Sequence, residues 1–101
     1  MSHSSIEAPT LEKLRAAFRC DPIDEAALKS VIDAYVDDRR KHNVHVEQVI
    51  REIRRVAEIE EGPIYRALYE PDLRNHAHQL INRTIIWAFE RYFWQNLPGG
   101  A

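Results

Sequence analysis

Four histidines lie where two helix ends could bring imidazoles together, and imidazole is a frequent ligand for transition metals. His42 and His45 flank a predicted turn, and His76 and His78 lie near the start of the predicted last helix. Positions 76 and 78 are roughly 200° apart on a helix, so their side chains do not face one ion. The sequence also contains no HExxH motif. We therefore expect surface and capping histidines, with no metal and no cofactor.

Cys20 is the single cysteine, so the chain forms no internal disulfide and no thiolate-rich zinc site. It precedes a predicted helix N-terminus, a place where helix dipoles activate thiols. A nucleophilic cysteine also needs a placed histidine base and an oxyanion hole, and no residue pattern marks either one. We predict a buried or half-buried structural cysteine. Since no glycine-rich phosphate loop occurs either, we expect no enzyme.

An outward histidine on a four-helix bundle resembles the arrangement in histidine-phosphotransfer domains, and His76 falls on the polar side of the predicted last helix. Those domains carry a lysine and a glycine just after the histidine. Here the following residues are "AHQLIN", which contain neither. The resemblance therefore concerns the fold alone, and we assign no phosphotransfer activity.

Basic residues around a predicted turn indicate an alternative function. "RRKH" (residues 39–42) ends one predicted helix and three arginines lie on the next, a layout that resembles a helix-turn-helix, whose second helix enters a major groove. Phosphate contacts need a net positive surface, whereas residues 31–62 contain six basic and eight acidic side chains. Nucleic-acid binding therefore requires a dimer that aligns two basic patches. The contacting residues would be Arg39, Arg40, Lys41, Arg51, Arg54 and Arg55.

The composition is that of one globular domain. A chain of 101 residues has room for one core, and 45% hydrophobic with 30% charged residues is close to the globular average. A net charge of −2 argues against a surface that is basic throughout, as binding to nucleic acid or anionic lipid would favour. No apolar run approaches the roughly 20 residues that span a bilayer, and "MSHSSIEAP" does not resemble a secretion signal. We expect a cytoplasmic protein with no membrane association.

Helical periodicity extends along the whole sequence, and no segment alternates as a strand would. The predicted fold is all-α: a small four-helix bundle with a long aromatic-rich C-terminal helix. We expect a single helical domain over residues 10–97, with flexible tails at residues 1–9 and 98–101. Only three glycines occur, two of them in the C-terminal tail.

The first two helices have recognisable start signals. Thr10 is the predicted N-cap of the first helix. The second helix has two possible starts: Asp21 as the cap with Pro22 at the first helical position, or Asp24 as the cap. In the second case Ile23 and a leucine at position 28 would form a hydrophobic staple. The sequence does not decide between these starts.

The connection to the third helix carries clearer signals. Asn43 suits the left-handed residue that follows a helix, and His45 with Gln48 suits a capping box at the next start. Gly62 and Pro63 predict the end of the third helix. "IYRALY" (residues 64–69) predicts one or two helical turns whose tyrosines form a lid on the bundle end. The last helix is predicted from Pro71 or Asp72 to about Asn96.

On a helical wheel, the last helix has two apolar faces. The wide one is the seam toward the other helices: Leu73, Ala77, Leu80, Ile81, Thr84, Ile85, Trp87, Ala88 and Tyr92. Ile86, Phe89 and Phe93 lie nearly opposite at positions i, i+3 and i+7, and we call them the outer stripe. A narrow strip with Gln79, Arg83 and Glu90 is left for water.

Exposed apolar patches mark interfaces, and aromatic residues are frequent at interface centres. The outer stripe, with Trp94 at its edge, therefore predicts a protein–protein surface, most simply in a two-fold homodimer. The predicted function is a homodimeric adaptor, or a regulatory subunit that presents this helix to a larger protein partner. The alternative is a monomer in which "IYRALY" and the first helix wrap over the stripe.

Overall fold

The computed structural model describes residues 9–94, with their side chains as far as residue 93. This part of the chain contains five helices and no strand, so the predicted all-α bundle is confirmed. The helices are α1 (Pro9–Arg19), α2 (Glu25–Lys41), α3 (Val46–Ile59), α4 (Pro63–Leu68) and α5 (Arg74–Trp94). The predicted tails and the predicted helix end at Asn96 lie outside the described residues, except that Pro9 already belongs to α1.

The caps between α1 and α3 follow from the local sequence. Asp24 begins α2, because its carboxylate accepts a hydrogen bond from the backbone N–H of Ala27 at 3.1 Å. Asn43 has the predicted left-handed conformation after α2, with φ of 61°. His45 is the N-cap of α3, and its Nδ1 accepts a long hydrogen bond of 3.4 Å from the N–H of Glu47.

Two predicted capping roles are wrong, because one side chain bonds to another helix and the other bonds within its own helix. Thr10 lies inside α1, and its hydroxyl donates to the carboxylate of Asp38 on α2 at 3.4 Å. Gln48 does not complete a capping box. Its amide donates to Glu52, one turn further along α3, at 3.1 Å.

The last helix begins later than predicted, at Arg74 instead of Pro71 or Asp72. The backbone N–H of Leu73 closes a turn onto the carbonyl of Glu70 at 3.0 Å, and the carbonyl of Leu73 then accepts a helical hydrogen bond. Leu73 therefore occupies the capping position. Its side chain is 50% exposed, so the prediction that it belongs to the seam is wrong.

The short helix α4 lies between α3 and α5 in the chain, and its start packs against the end of α1. A Cβ at Gly62 would collide with the carbonyl oxygen of Phe18, so the glycine allows this close approach. Ile64 is buried beside it. The rings of Tyr65 and Tyr69 meet edge to face at 5.2 Å, but Tyr69 is 69% exposed. The prediction of a tyrosine lid over the bundle is wrong for Tyr69.

α1 packs on α2, and α5 packs on α2, α3 and α4, so that all five helices contribute to one core. Burial of each large apolar side chain stabilises the fold by roughly 1.5–3 kcal/mol. The buried core residues are Leu14, Phe18, Leu28, Ile32, Tyr35, Val36, Val49, Ile53, Val56, Ala57, Ile64, Ala77, Ile81 and Ala88. Within residues 9–94, no helix has both the length and the hydropathy needed to cross a bilayer.

Candidate functional site

The fully buried centre of the inward face of α5 is narrower than the whole seam, and small side chains predominate there. Ala77, Ile81, Thr84 and Ala88 are buried, and the hydroxyl of Thr84 donates to the carbonyl of Ile81 at 2.7 Å. Among the described side chains of α5, Thr84 is the one buried polar residue, and this bond satisfies its hydroxyl. The residues that flank this face and pack partly against the core are Leu80, Ile85, Trp87 and Tyr92. The predicted seam is therefore confirmed in all members except Leu73.

The outer stripe faces away from this core. Ile86 is 54% exposed, Phe89 46% and Phe93 43%. The rings of Phe89 and Phe93 lie 5.2 Å apart and tilted. Among the described residues, α1 does not pack on α5, and α4 packs on α5 without covering the stripe. The wrapped arrangement is therefore not adopted. Trp94, the predicted edge of the surface, is the last residue of α5, and its side chain lies outside the described residues.

Polar contacts fix the aromatic half of α5 against its neighbours. The guanidinium of Arg91 donates two hydrogen bonds to the carboxylate of Asp37 on α2, at 3.0 and 2.7 Å. These bonds raise the pKa of Arg91 above its usual value. The hydroxyl of Tyr92 donates to the carbonyl of Val44 in the turn before α3, at 2.7 Å. The outer stripe is therefore presented by a helix with a fixed orientation.

A polar margin borders the outer stripe on one side. Gln79, Arg83 and Glu90 are exposed, as predicted, and Arg83 pairs with Glu25 on α2 at 2.5 Å. A shallow groove of about 330 Å³ follows between α5 and α2. Its lining residues are Lys29, Asp33, Trp87, Glu90 and Arg91. Glu90 belongs both to this margin and to the groove, so the stripe and the groove are neighbouring parts of one surface.

The six basic residues proposed for nucleic-acid binding differ in their exposure and in their ion pairs. Arg39 is bound by Glu52, with its Nε and Nη2 each donating to one carboxylate oxygen at 3.2 Å. Arg40 is half-buried, whereas Lys41 and the three α3 arginines are exposed. Within the described part of the chain, Arg51, Arg54 and Arg55 form no ion pair. Acidic residues at positions 47 and 58 lie on the same helix and are exposed too.

A polar network between α2 and α3 was not foreseen from the sequence. The hydroxyl of Tyr35 donates to Glu52 at 2.6 Å, and Arg39 and Gln48 donate to the same carboxylate. Burial opposes ionisation of Glu52, but the hydrogen bonds from Tyr35, Gln48 and Arg39 outweigh it and lower the pKa of this carboxyl. Burial, followed by the bond to Glu52, raises the pKa of Tyr35 above its usual range. The i, i+4 spacings 35/39 and 48/52 were the available signal.

The histidines lie at caps and on the surface. Nδ1 of His42 is 2.8 Å from the carbonyl of Asp38 in the last turn of α2, and His45 caps α3. His76 and His78 are both exposed on α5. Among residues 9–94, no three histidine, cysteine, aspartate or glutamate side chains gather closely enough to hold a metal ion.

The expectation of a buried or half-buried Cys20 is wrong, because its side chain is exposed. Cys20 directly follows the last residue of α1, in the connection to α2. Phe18, two residues earlier, fills the core at this end of α1 and leaves the cysteine outside.

Comparisons with protein-family models, with curated protein sequences and with solved structures give no match to this chain.

Proposed function

We propose that this protein is a non-enzymatic protein–protein interaction module that acts through the outer stripe of α5. The observation that carries the proposal is the exposure of Ile86, Phe89 and Phe93 on one face of a helix whose opposite face is already buried. The simplest use of such a face is a two-fold homodimer, since a surface that binds its own copy needs no second partner surface. The module then serves as a homodimeric adaptor or as a regulatory subunit of a larger partner.

The size of the stripe supports a modest affinity. Each of its three side chains is about half exposed, so six of them from two copies contribute roughly 5–9 kcal/mol on burial. Association costs about 4–15 kcal/mol in lost translational and rotational freedom. The stripe alone therefore balances the cost of association, and the bordering residues must also contact the partner. We expect a dimer that forms and dissociates within the micromolar range.

Light scattering after size exclusion, over a tenfold concentration range, tests the proposal. The wild-type mass should rise toward that of a dimer as the concentration rises. Phe89→Asp should stay monomeric at every concentration while keeping its helical circular dichroism, because a carboxylate at the centre of the stripe is costly to bury. Ser30→Asp is the matched control: it adds the same charge to an exposed helix position on the side of α2 that faces α1, away from the outer stripe, and it should dimerise like the wild type.

Two results would contradict the proposal. If Phe89→Asp unfolds while Ser30→Asp does not, the stripe belongs to the core. If the wild type stays monomeric across the whole concentration range, the homodimer is wrong, and the stripe would have to bind a different protein.

Nucleic-acid binding is the second candidate function, and one observation favours it. Arg51, Arg54 and Arg55 are exposed on α3 and form no ion pair within the described chain, so they are available to phosphates. The use of Arg39 by Glu52 removes one of the predicted contacts. A fluorescence anisotropy titration of labelled duplex DNA decides between the two functions. Micromolar or tighter binding that falls with added salt and is lost in Arg54→Glu would favour nucleic acid over the interaction module.

A further inference from the structure

A second concave surface lies between α1, α2 and α3, and no residue of α5 lines it. Its volume is about 670 Å³, within the range of roughly 300–1,000 Å³ typical of small-molecule sites. It is twice the size of the groove beside the outer stripe, about 330 Å³. Its lining combines apolar side chains with arginines, and each group constrains what could bind there.

The apolar part of this groove comes from α1 and α3. Leu11 of α1 is half-buried and Val56 of α3 is almost fully buried, and both line the groove. Ile59, at the end of α3, is 54% exposed although it borders these two residues around the groove. An apolar ligand body lying across Leu11, Val56 and Ile59 would cover this exposed isoleucine.

Of the arginines that line the groove, Arg55 is the one without an acidic partner in the described part of the chain. Arg39 and Glu52 neutralise each other through two hydrogen bonds of 3.2 Å. Arg15 already has acidic partners, since it lies 3.7 Å from a carboxylate oxygen of Glu12 and 3.9 Å from one of Glu60. Arg55 is exposed and forms no ion pair within the described chain. Its guanidinium is therefore the group best placed to receive an anion.

The same lining limits the charge of the ligand. Besides Glu52, the carboxylate of Asp38 faces the groove, where it accepts a 3.4 Å bond from Thr10 and lies 3.8 Å from Nδ1 of His42. A highly charged anion such as a phosphate monoester would meet these carboxylates. A single carboxylate can lie beside Arg55 with two parallel hydrogen bonds, a geometry that suits guanidinium.

We propose that the groove between α1, α2 and α3 binds a small amphipathic monocarboxylate. The carboxylate accepts hydrogen bonds from Arg55, with Arg15 nearby, and the aliphatic body lies on Leu11, Val56 and Ile59. This site is separate from the outer stripe of α5, so ligand binding and association with a partner are independent properties of the protein.

The test is a titration of ¹⁵N-labelled full-length protein with octanoate, followed by NMR. Octanoate should shift amide signals of α1, α2 and α3 around the groove in a saturable manner. Octan-1-ol, which has the same aliphatic chain without the charge, should bind at least about tenfold more weakly, since it cannot form the charge-assisted hydrogen bonds. Equal affinity for the two probes would overturn the proposal, and so would the absence of saturable shifts.

Matched variants locate the binding site. Arg55→Gln should raise the octanoate Kd about tenfold. Arg54→Gln changes the preceding residue of α3, which does not line the groove, and should leave the Kd unchanged. Ile59→Ser should weaken binding by about threefold through the loss of apolar contact. All three substituted side chains are exposed, so the fold is retained. If Phe89→Asp abolishes the shifts while Arg55→Gln does not, octanoate binds the outer stripe and the groove site is wrong.

Discussion

The two faces of α5 differ in the size of their apolar side chains. The centre of the face toward the core buries Ala77, Ile81, Thr84 and Ala88, with Trp87 and Tyr92 only partly buried at its flanks, while the centre of the face toward solvent carries Ile86, Phe89 and Phe93. A helix that served only its own core would bury its largest side chains, since buried area provides most of the stabilisation. Small inward residues let α5 lie close to its neighbours, and the large outward residues remain available to another molecule. The difference separates what holds the fold from what contacts a partner.

A matched pair of substitutions tests this separation with the largest expected effect. Ile81 is 4% exposed and Ile86 is 54% exposed, on the same helix. Ile81→Ala should lower the free energy of unfolding by about 2–4 kcal/mol, because it removes buried area and leaves a cavity. Ile86→Ala should change it by less than about 0.5 kcal/mol, as at an exposed site. Urea denaturation of both variants provides the comparison.

The stability difference between Ile86→Ala and the wild type should depend on protein concentration, because association stabilises the folded state. At a concentration below dimerisation, Ile86→Ala should match the wild type. At a concentration where the wild type is dimeric, it should be less stable, since the wild type alone gains fully from association. Equal and large losses for Ile81→Ala and Ile86→Ala at low concentration would remove the distinction between the two faces.

The periodicity of α5 allowed both faces to be predicted because one helix repeats its pattern over many residues. Asn43 and His45 were also predictable, since each acts through backbone geometry within a few positions of itself. Cys20 was not, because its exposure depends on which neighbouring side chain fills the core at the end of α1. The start of α5 was placed too early since the turn at residues 70–73 competes with the helix for the same backbone bonds.

The groove between α1, α2 and α3 could not be predicted for a related reason. It exists because three consecutive helices leave space between them when they pack, and no local pattern in the sequence reports that space. The bond from Tyr35 to Glu52 joins residues 17 positions apart. Spacing within α2 and within α3 was visible, but the match between the two helices depends on their packing.

An effect of intermediate magnitude is expected at Tyr92, which lies between the two faces of α5. The hydroxyl of Tyr92, on the flank of α5, donates to the carbonyl of Val44 at 2.7 Å. Tyr92→Phe should lower the free energy of unfolding by about 1 kcal/mol, because it leaves a part-buried carbonyl without this donor. The affinity of the dimer should fall only slightly, since the ring that contacts Phe93 is retained. Chemical denaturation and light scattering on the same samples measure both effects.

A larger loss of association than of stability would contradict the role assigned to Tyr92. It would mean that the hydroxyl contacts the partner or orients the outer stripe, and that the two faces of α5 are coupled through it.

The smallest expected effect is a change in the pH dependence of stability, and it comes from the polar network around Glu52 between α2 and α3. The pKa of Glu52 is lowered in the folded state, so the unfolded chain binds its proton at a higher pH. The stability that Glu52 contributes is therefore complete above the ordinary value of 4.5 and is lost as the pH falls through the lowered value. Glu52→Gln should flatten this acid loss in denaturant titrations between pH 6 and about 2. Glu47→Gln, an exposed carboxylate on the same helix, is the control and should keep the wild-type slope.

The same titration bears on α5. Glu52 lies between α2 and α3 and contacts no residue of the outer stripe. Dimer formation by Glu52→Gln at neutral pH should therefore equal that of the wild type. If Glu52→Gln changes the monomer–dimer equilibrium while leaving the monomer folded, the network between α2 and α3 influences the position of α5. The outer stripe would then not be independent of that network.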